Sequence, residues 1–92
     1  MGMYKIILSK TAIKHISELE RSGSPAYKKL GVIIEELKEH PRTGVGKPEQ
    51  LKYQEAETWS RKLDKKNRIT YSIQEEIVTV EVLSALGHYD DK

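Results

Sequence analysis

The sequence predicts an α+β domain, with an N-terminal strand and a two-helix hairpin packed on a mainly antiparallel sheet of four to five strands. Three observations lead there. Apolar residues recur at helical spacing between Lys10 and Leu37, alternating apolar residues replace them after Leu51, and a glycine- and proline-rich stretch separates the two regimes.

The elements follow in order. Tyr4 to Leu8 is short and rich in Tyr and Ile, and reads as a strand. Ser9 suits the cap of a helix from Lys10 to Arg21, whose Ala12, Ile13, Ile16 and Leu19 share one side. Ser22-Gly23-Ser24 interrupts it. Ser24 then caps a second helix with Pro25 at its first position, where the missing N–H costs nothing. Tyr27, Leu30, Ile33, Ile34 and Leu37 form its apolar stripe, Lys28, Lys29, Glu35 and Glu39 its polar side, and Pro41 ends it. A link of about three residues favours an antiparallel hairpin. His40 to Gln50 is a loop containing Pro41, Gly44, Gly46 and Pro48. Beyond it, Leu51 to Tyr53, Trp59 to Leu63, Arg68 to Gln74 and Ile77 to Leu86 read as strands, with turns at Asp64-Lys65-Lys66-Asn67 and Gln74-Glu75-Glu76. Ile69, Tyr71 and Ile73 lie on one face of their strand, Arg68, Thr70 and Ser72 on the other; Val78, Val80 and Val82 share a face of the last.

At 92 residues the chain is expected to be one domain, 1–92, with Met1-Gly2 ahead of Met3 read as an addition to the natural start. Hydrophobic residues make up 37% and charged residues 33%, which implies a small core. The absence of cysteine excludes a disulfide scaffold, a Cys-based zinc site and a thiol nucleophile. No apolar run approaches the ~18 residues of a membrane span, so a cytoplasmic protein without membrane contact is expected. The net charge of +2 is unevenly spread: His40 to Ser72 holds eight basic and four acidic residues, a local excess of +4. A basic segment carrying Tyr53, Trp59 and Tyr71 suits a polyanion with stacked bases, but by charge alone a solvated lysine surface over core aromatics is the more ordinary explanation.

Several motifs fail. Gly44-Val45-Gly46-Lys47 is no phosphate-binding loop, because Pro41 stands where the first glycine belongs and Pro48 where Ser or Thr belongs. Glu49 occupies the last glycine position of a dinucleotide fingerprint. There is no His-Glu-x-x-His pair, Glu75-Glu76 and Asp90-Asp91 read as turn and tail charges, and no serine sits in a nucleophile-elbow context. No metal and no cofactor are expected.

One constellation remains: Glu49 in the loop, Arg68 opening a strand, and His88-Tyr89 after the last strand. Neighbouring strands lie ~4.8 Å apart, so residues distant in sequence can converge on one groove. A carboxylate, a guanidinium and an imidazole suit metal-free phosphodiester cleavage. The first deprotonates a ribose 2′-hydroxyl, the second stabilises the phosphorane-like transition state, and the third protonates the departing 5′-oxygen. Plainer roles fit the same residues: an exposed loop carboxylate, an Arg68 ion pair with Asp64 or Glu76, and a frayed chain end. Trp59 reads as core rather than a stacking platform, and His15 and His40 as bystanders.

The strings Gly46-Lys47-Pro48-Glu49-Gln50-Leu51-Lys52, Trp59-Ser60-Arg61-Lys62, Asn67-Arg68-Ile69-Thr70-Tyr71 and His88-Tyr89 together resemble the YoeB/Txe family of bacterial toxins, part of the RelE-like superfamily. The resemblance implies a RelE-like fold and a ribosome-dependent endoribonuclease that cuts mRNA in the ribosomal A site. A Phd/YefM-type antitoxin encoded beside it would restrain it. By position it implies catalytic roles for Glu49 (base), Arg68 (transition-state cation), His88 (acid) and Tyr89 (orientation), and RNA-binding roles for Lys47, Lys52, Arg61 and Lys62. The partners implied are the antitoxin, the ribosome and mRNA, with a homodimer left open. Two features depart from the pattern: the basic pair is Arg61-Lys62 where relatives often carry two arginines, and Asp90-Asp91-Lys92 follows Tyr89. A superfamily relative of ParE type, which inhibits DNA gyrase without cutting RNA, is the alternative.

Overall fold

A computed structural model describes residues 3–52 and 54–86. The elements are β1 (Lys5–Leu8), α1 (Lys10–Ser22), α2 (Pro25–Leu37), β2 (Glu49–Leu51), β3 (Glu57–Lys62), β4 (Arg68–Gln74) and β5 (Thr79–Ser84), with a 3-10 turn at Glu75–Ile77. The expected serines start both helices: Ser9 Oγ accepts from the Ala12 N–H at 3.0 Å, and Ser24 Oγ from the Ala26 N–H at 3.0 Å. Gly23 ends α1 in the left-handed conformation (φ 70°), which brings its N–H to the Glu20 carbonyl.

The five strands form one sheet in the order β1-β5-β4-β3-β2. β2 to β5 make an antiparallel meander, and β1 adds to the edge of β5 in parallel. The β3–β4 turn is closed by Asp64, whose Oδ1 accepts the Lys66 and Asn67 N–H groups at 2.8 and 2.7 Å. Although burial opposes it, these bonds hold the Asp64 carboxyl below its ordinary pKa.

Both helices contribute to the core, where Ala12, Leu19, Leu30, Ile33 and Leu37 cluster with Ile69, Tyr71, Ile73, Val80 and Val82 of the sheet. Because side chains alternate along a strand, Lys62, Arg68 and Thr70 fall on the sheet face opposite this core.

Several boundaries differ from expectation: α2 stops at Leu37 before Glu39, β3 starts at Glu57 rather than Trp59, and β5 ends at Ser84 rather than Leu86. β2 starts at Glu49 rather than Leu51, because the ladder Glu49↔Ser60, Gln50↔Trp59, Leu51↔Thr58 reaches back into the loop. β5 starts at Thr79, because Val78 adopts a left-handed conformation (φ 47°) to close the 3-10 turn. Val78 is therefore exposed, while Val80 and Val82 are buried as expected.

Candidate active site

The open face of β2, β3 and β4 gathers the candidate residues. Glu49 lies opposite Ser60, and Ser60 opposite Thr70; one pleat further, Lys62 lies opposite Arg68. The Arg68 Nη1 stands 3.7 Å from Glu49 Oε1. That is a loose ion pair, too long for a hydrogen bond. Its partner is neither of the carboxylates weighed from sequence, Asp64 or Glu76. The side chains of Glu49 and Arg68 are 67% and 32% exposed, so both can be reached from solvent. Lys62 directly opposite Arg68 places two cations side by side, which costs stability in a sheet and suits a bound anion. Ser60 Oγ, on the same face, is the one buried side-chain polar atom without a hydrogen-bond partner among the described residues.

Lys47 and Lys52 flank β2 and are exposed. Lys47 is held at φ 52°, a strained conformation for a residue with a side chain, two positions before Glu49. His88 and Tyr89 lie outside the described residues.

Arg61 corrects an expectation. The family resemblance implies an RNA-binding role for it, but its side chain is 0% exposed and points into the core. Nε donates to Tyr71 Oη (3.0 Å), Nη1 to Glu36 Oε1 (2.7 Å) and the Val45 carbonyl (3.2 Å), and Nη2 to the His40 and Thr43 carbonyls (3.1 and 2.8 Å). These five bonds use all five donors of a guanidinium, so none remains for a phosphate. Arg61 instead pins the loop that delivers Glu49. Glu36 completes the clamp by accepting the Val45 N–H at 3.0 Å, and the Gly46 carbonyl accepts the Lys62 N–H at 2.7 Å. The Val45 hydrogen bond, followed by that of Arg61, keeps the Glu36 carboxyl below the ordinary carboxylate range against the opposing effect of burial. Burial raises the Tyr71 phenol above its usual value, an effect the Arg61 guanidinium opposes. Gly44 (φ 127°) is required here, since a Cβ would collide with the Glu36 carboxylate.

A second network sits at the other end of β3 and β4, where β3 starts and β4 finishes. Arg42 donates to both carboxylate oxygens of Glu57 (2.8 and 3.0 Å) and to Glu75 (3.0 Å). Trp59 Nε1 donates to Glu57 at 2.8 Å while its ring packs against the core. The Arg42 bonds lower the pKa of both carboxyls.

Two further residues matter that sequence reasoning passed over. Glu36 lies three positions after Ile33, at the border of the apolar stripe of α2, and that position was its signal. His15 Nδ1 accepts the N–H groups of Ala85 and Leu86 at 3.1 and 3.2 Å, so it is no bystander. No pattern around His15 announces a contact 70 residues away.

The family model for the YoeB-like toxins of bacterial type II toxin–antitoxin systems matches residues 9–89. This chain belongs to that family. Toxin YoeB of Escherichia coli O6:H1 is 32% identical over 76 residues, covering 83% of this chain and 90% of that protein. Toxin YoeB of Mycobacterium bovis is 37% identical over 57 residues, 62% of this chain; the chain spans 65% of that relative's length. Among solved structures, a YoeB/ParE toxin from Agrobacterium tumefaciens superposes with a TM-score of 0.84 at 27% identity, covering 92% of this chain and 99% of that one. The α+β, RelE-like expectation agrees with these relatives, and the toxin's candidate groove is the sheet face left bare by the helices.

Proposed function

We propose that this toxin is a metal-independent, ribosome-dependent endoribonuclease that cuts mRNA in the ribosomal A site. The observation that carries the reading is the Glu49–Arg68 pair at 3.7 Å on the open face, with Lys62 beside it, in a chain of the YoeB family. Glu49 takes the proton of a ribose 2′-hydroxyl, whose oxygen attacks the adjacent phosphorus. Arg68 turns from Glu49 to the phosphate oxygens, where its planar fork bonds the charge that builds up in the transition state. The bond to the 5′-oxygen breaks, His88 supplies that oxygen with a proton, and the products are a 2′,3′-cyclic phosphate and a 5′-hydroxyl. Tyr89 orients the nucleotide, and Lys47, Lys52 and Lys62 hold neighbouring phosphates. A side chain fills every role, so the route calls on no metal. The partner that restrains the toxin is a Phd/YefM-type antitoxin, in keeping with a family defined by toxin–antitoxin pairs.

A translation reaction programmed with a defined mRNA tests this. Cleavage within the A-site codon is expected from the wild type, and none at a comparable rate from the folded Glu49→Ala/His88→Ala double variant. Full-rate cleavage by that variant overturns the assignment. Intact mRNA together with inhibited DNA supercoiling would instead establish the gyrase-directed alternative.

A further inference from the structure

The sheet's last strand loses its ladder at Ser84. β5 ends at Ser84, which pairs with Thr70 beside an irregularity at Thr70/Tyr71. The next two N–H groups, of Ala85 and Leu86, therefore need acceptors from elsewhere, and Ala85 is 0% exposed, closed off from water. His15 Nδ1 takes both, at 3.1 and 3.2 Å. A ring nitrogen that accepts two N–H groups carries no proton itself, so His15 is the neutral tautomer with its hydrogen on Nε2.

The same helix holds the strand a second time. Ser9 Oγ, at the cap of α1, donates to the Leu83 carbonyl at 2.9 Å, and the Ser9 N–H donates to the Val82 carbonyl at 3.0 Å. From Ser9 to His15 the helix rises ~9 Å. From Leu83 to the Ala85–Leu86 amides an extended chain covers ~8 Å. The two spans match, and α1 thus holds the end of β5 at two points, its N-cap and His15. His88 follows Leu86 by two residues.

We propose that His15 is a positioning residue for the cleavage reaction: by anchoring the Ala85 and Leu86 amides it sets where the chain leaves the sheet, two residues ahead of His88 in the sequence. This rests on the role of His88 proposed above. It assigns His15 no contact with RNA.

The test compares His15→Asn, whose Oδ1 keeps an acceptor near the place of Nδ1, with His15→Leu, which keeps bulk and loses the acceptor. On ribosome-bound mRNA, His15→Leu is expected to lower kcat by about 10- to 100-fold, the scale of a misplaced catalytic group. KM is expected to stay within about twofold, and His15→Asn to recover most of the rate. Amide hydrogen exchange at Ala85 and Leu86 is expected to rise in His15→Leu while that of Val80 and Val82 is unchanged. In a His88→Ala background, His15→Leu should bring no further loss, because the residue acts through His88. The proposal is overturned if His15→Leu cleaves at the wild-type kcat, if the Asn and Leu variants fall equally, or if the losses of the His15 and His88 variants multiply. Failure of the wild type to cut at all sinks the nuclease reading itself, which separates the two failures.

Discussion

Arg61 and Lys62 are adjacent in sequence and carry the same charge, yet they belong to different molecules in chemical terms. Arg61 faces the helices, is wholly buried and spends every donor on one carboxylate, one phenol and three carbonyls. Lys62 faces the open side of the sheet, is exposed and stands opposite Arg68. The contrast extends to the two arginines. Arg61 meets Glu36 at 2.7 Å, whereas Arg68 meets Glu49 at 3.7 Å. One face holds its cations in tight, satisfied networks that order the backbone. The other leaves its cations loosely paired and within reach of an anion. Charge that builds the fold and charge left open to solvent are thus separated by the thickness of one strand.

Substitutions on the two faces should fail in different ways, and this separates them most sharply at the groups proposed to react. Glu49→Ala, Arg68→Ala or His88→Ala should each slow mRNA cleavage by about 10² to 10⁴-fold, the scale of a lost acid, base or transition-state donor. Glu49→Ala and Arg68→Ala should leave thermal unfolding within a few degrees of wild type, because an exposed, loose pair contributes little. If calorimetry shows either variant to be grossly destabilised, the open face is structural after all.

Arg61→Ala should invert that pattern. Removing one partner of a buried ion pair costs about 3–5 kcal/mol. In a domain of this size that lowers Tm by more than about 10 °C. Arg61→Lys should rescue little, since a point charge cannot reproduce five fixed bonds. An Arg61→Ala protein that melts like wild type but loses RNA affinity would return Arg61 to the groove.

Smaller effects test the edges of the comparison. Lys62→Ala should weaken productive RNA binding by about threefold, one phosphate contact's worth, with the difference shrinking as salt rises. No change in KM at any ionic strength would remove Lys62 from the RNA surface.

Acid should act through the structural networks. Glu36 and Glu57 have carboxyl pKa values lowered in the folded protein by their hydrogen bonds to Val45, Arg61 and Arg42. The unfolded chain therefore binds protons first as pH falls. Their contribution to stability is complete above the ordinary carboxylate value of about 4.3 and is lost as pH falls through the lower folded-state values. Tm is expected to be flat near neutrality and to drop below about pH 4.5, with Arg42→Met flattening the drop. A Tm that rises on acidification would contradict the assigned direction.

Much of this architecture is legible before folding. Serine caps, the Pro25 start and the apolar stripes located the start of both helices, because those signals are local and act within one turn, while α2 stops at Leu37, short of the expected Glu39. The alternation of Ile69, Tyr71 and Ile73 located β4 for the same reason. The face of Arg61 was also written there: it shares the two-residue spacing of Trp59 and Leu63, both of which pack toward the core.

What the sequence determined by itself was the order and kind of the elements, the basic middle segment and the family's residue strings, since these depend on neighbours along the chain. Tertiary structure alone decided three things. It brought Glu49 to Arg68 across β3, it turned Arg61 into the clamp of the loop, and it set His15 under the end of β5. Each joins residues from different elements: the first depends on strand register, the second on which sheet face the helices cover, the third on how α1 lies along β5. Those are properties of packing, where burial and unsatisfied N–H groups select the partners, and no local pattern encodes them.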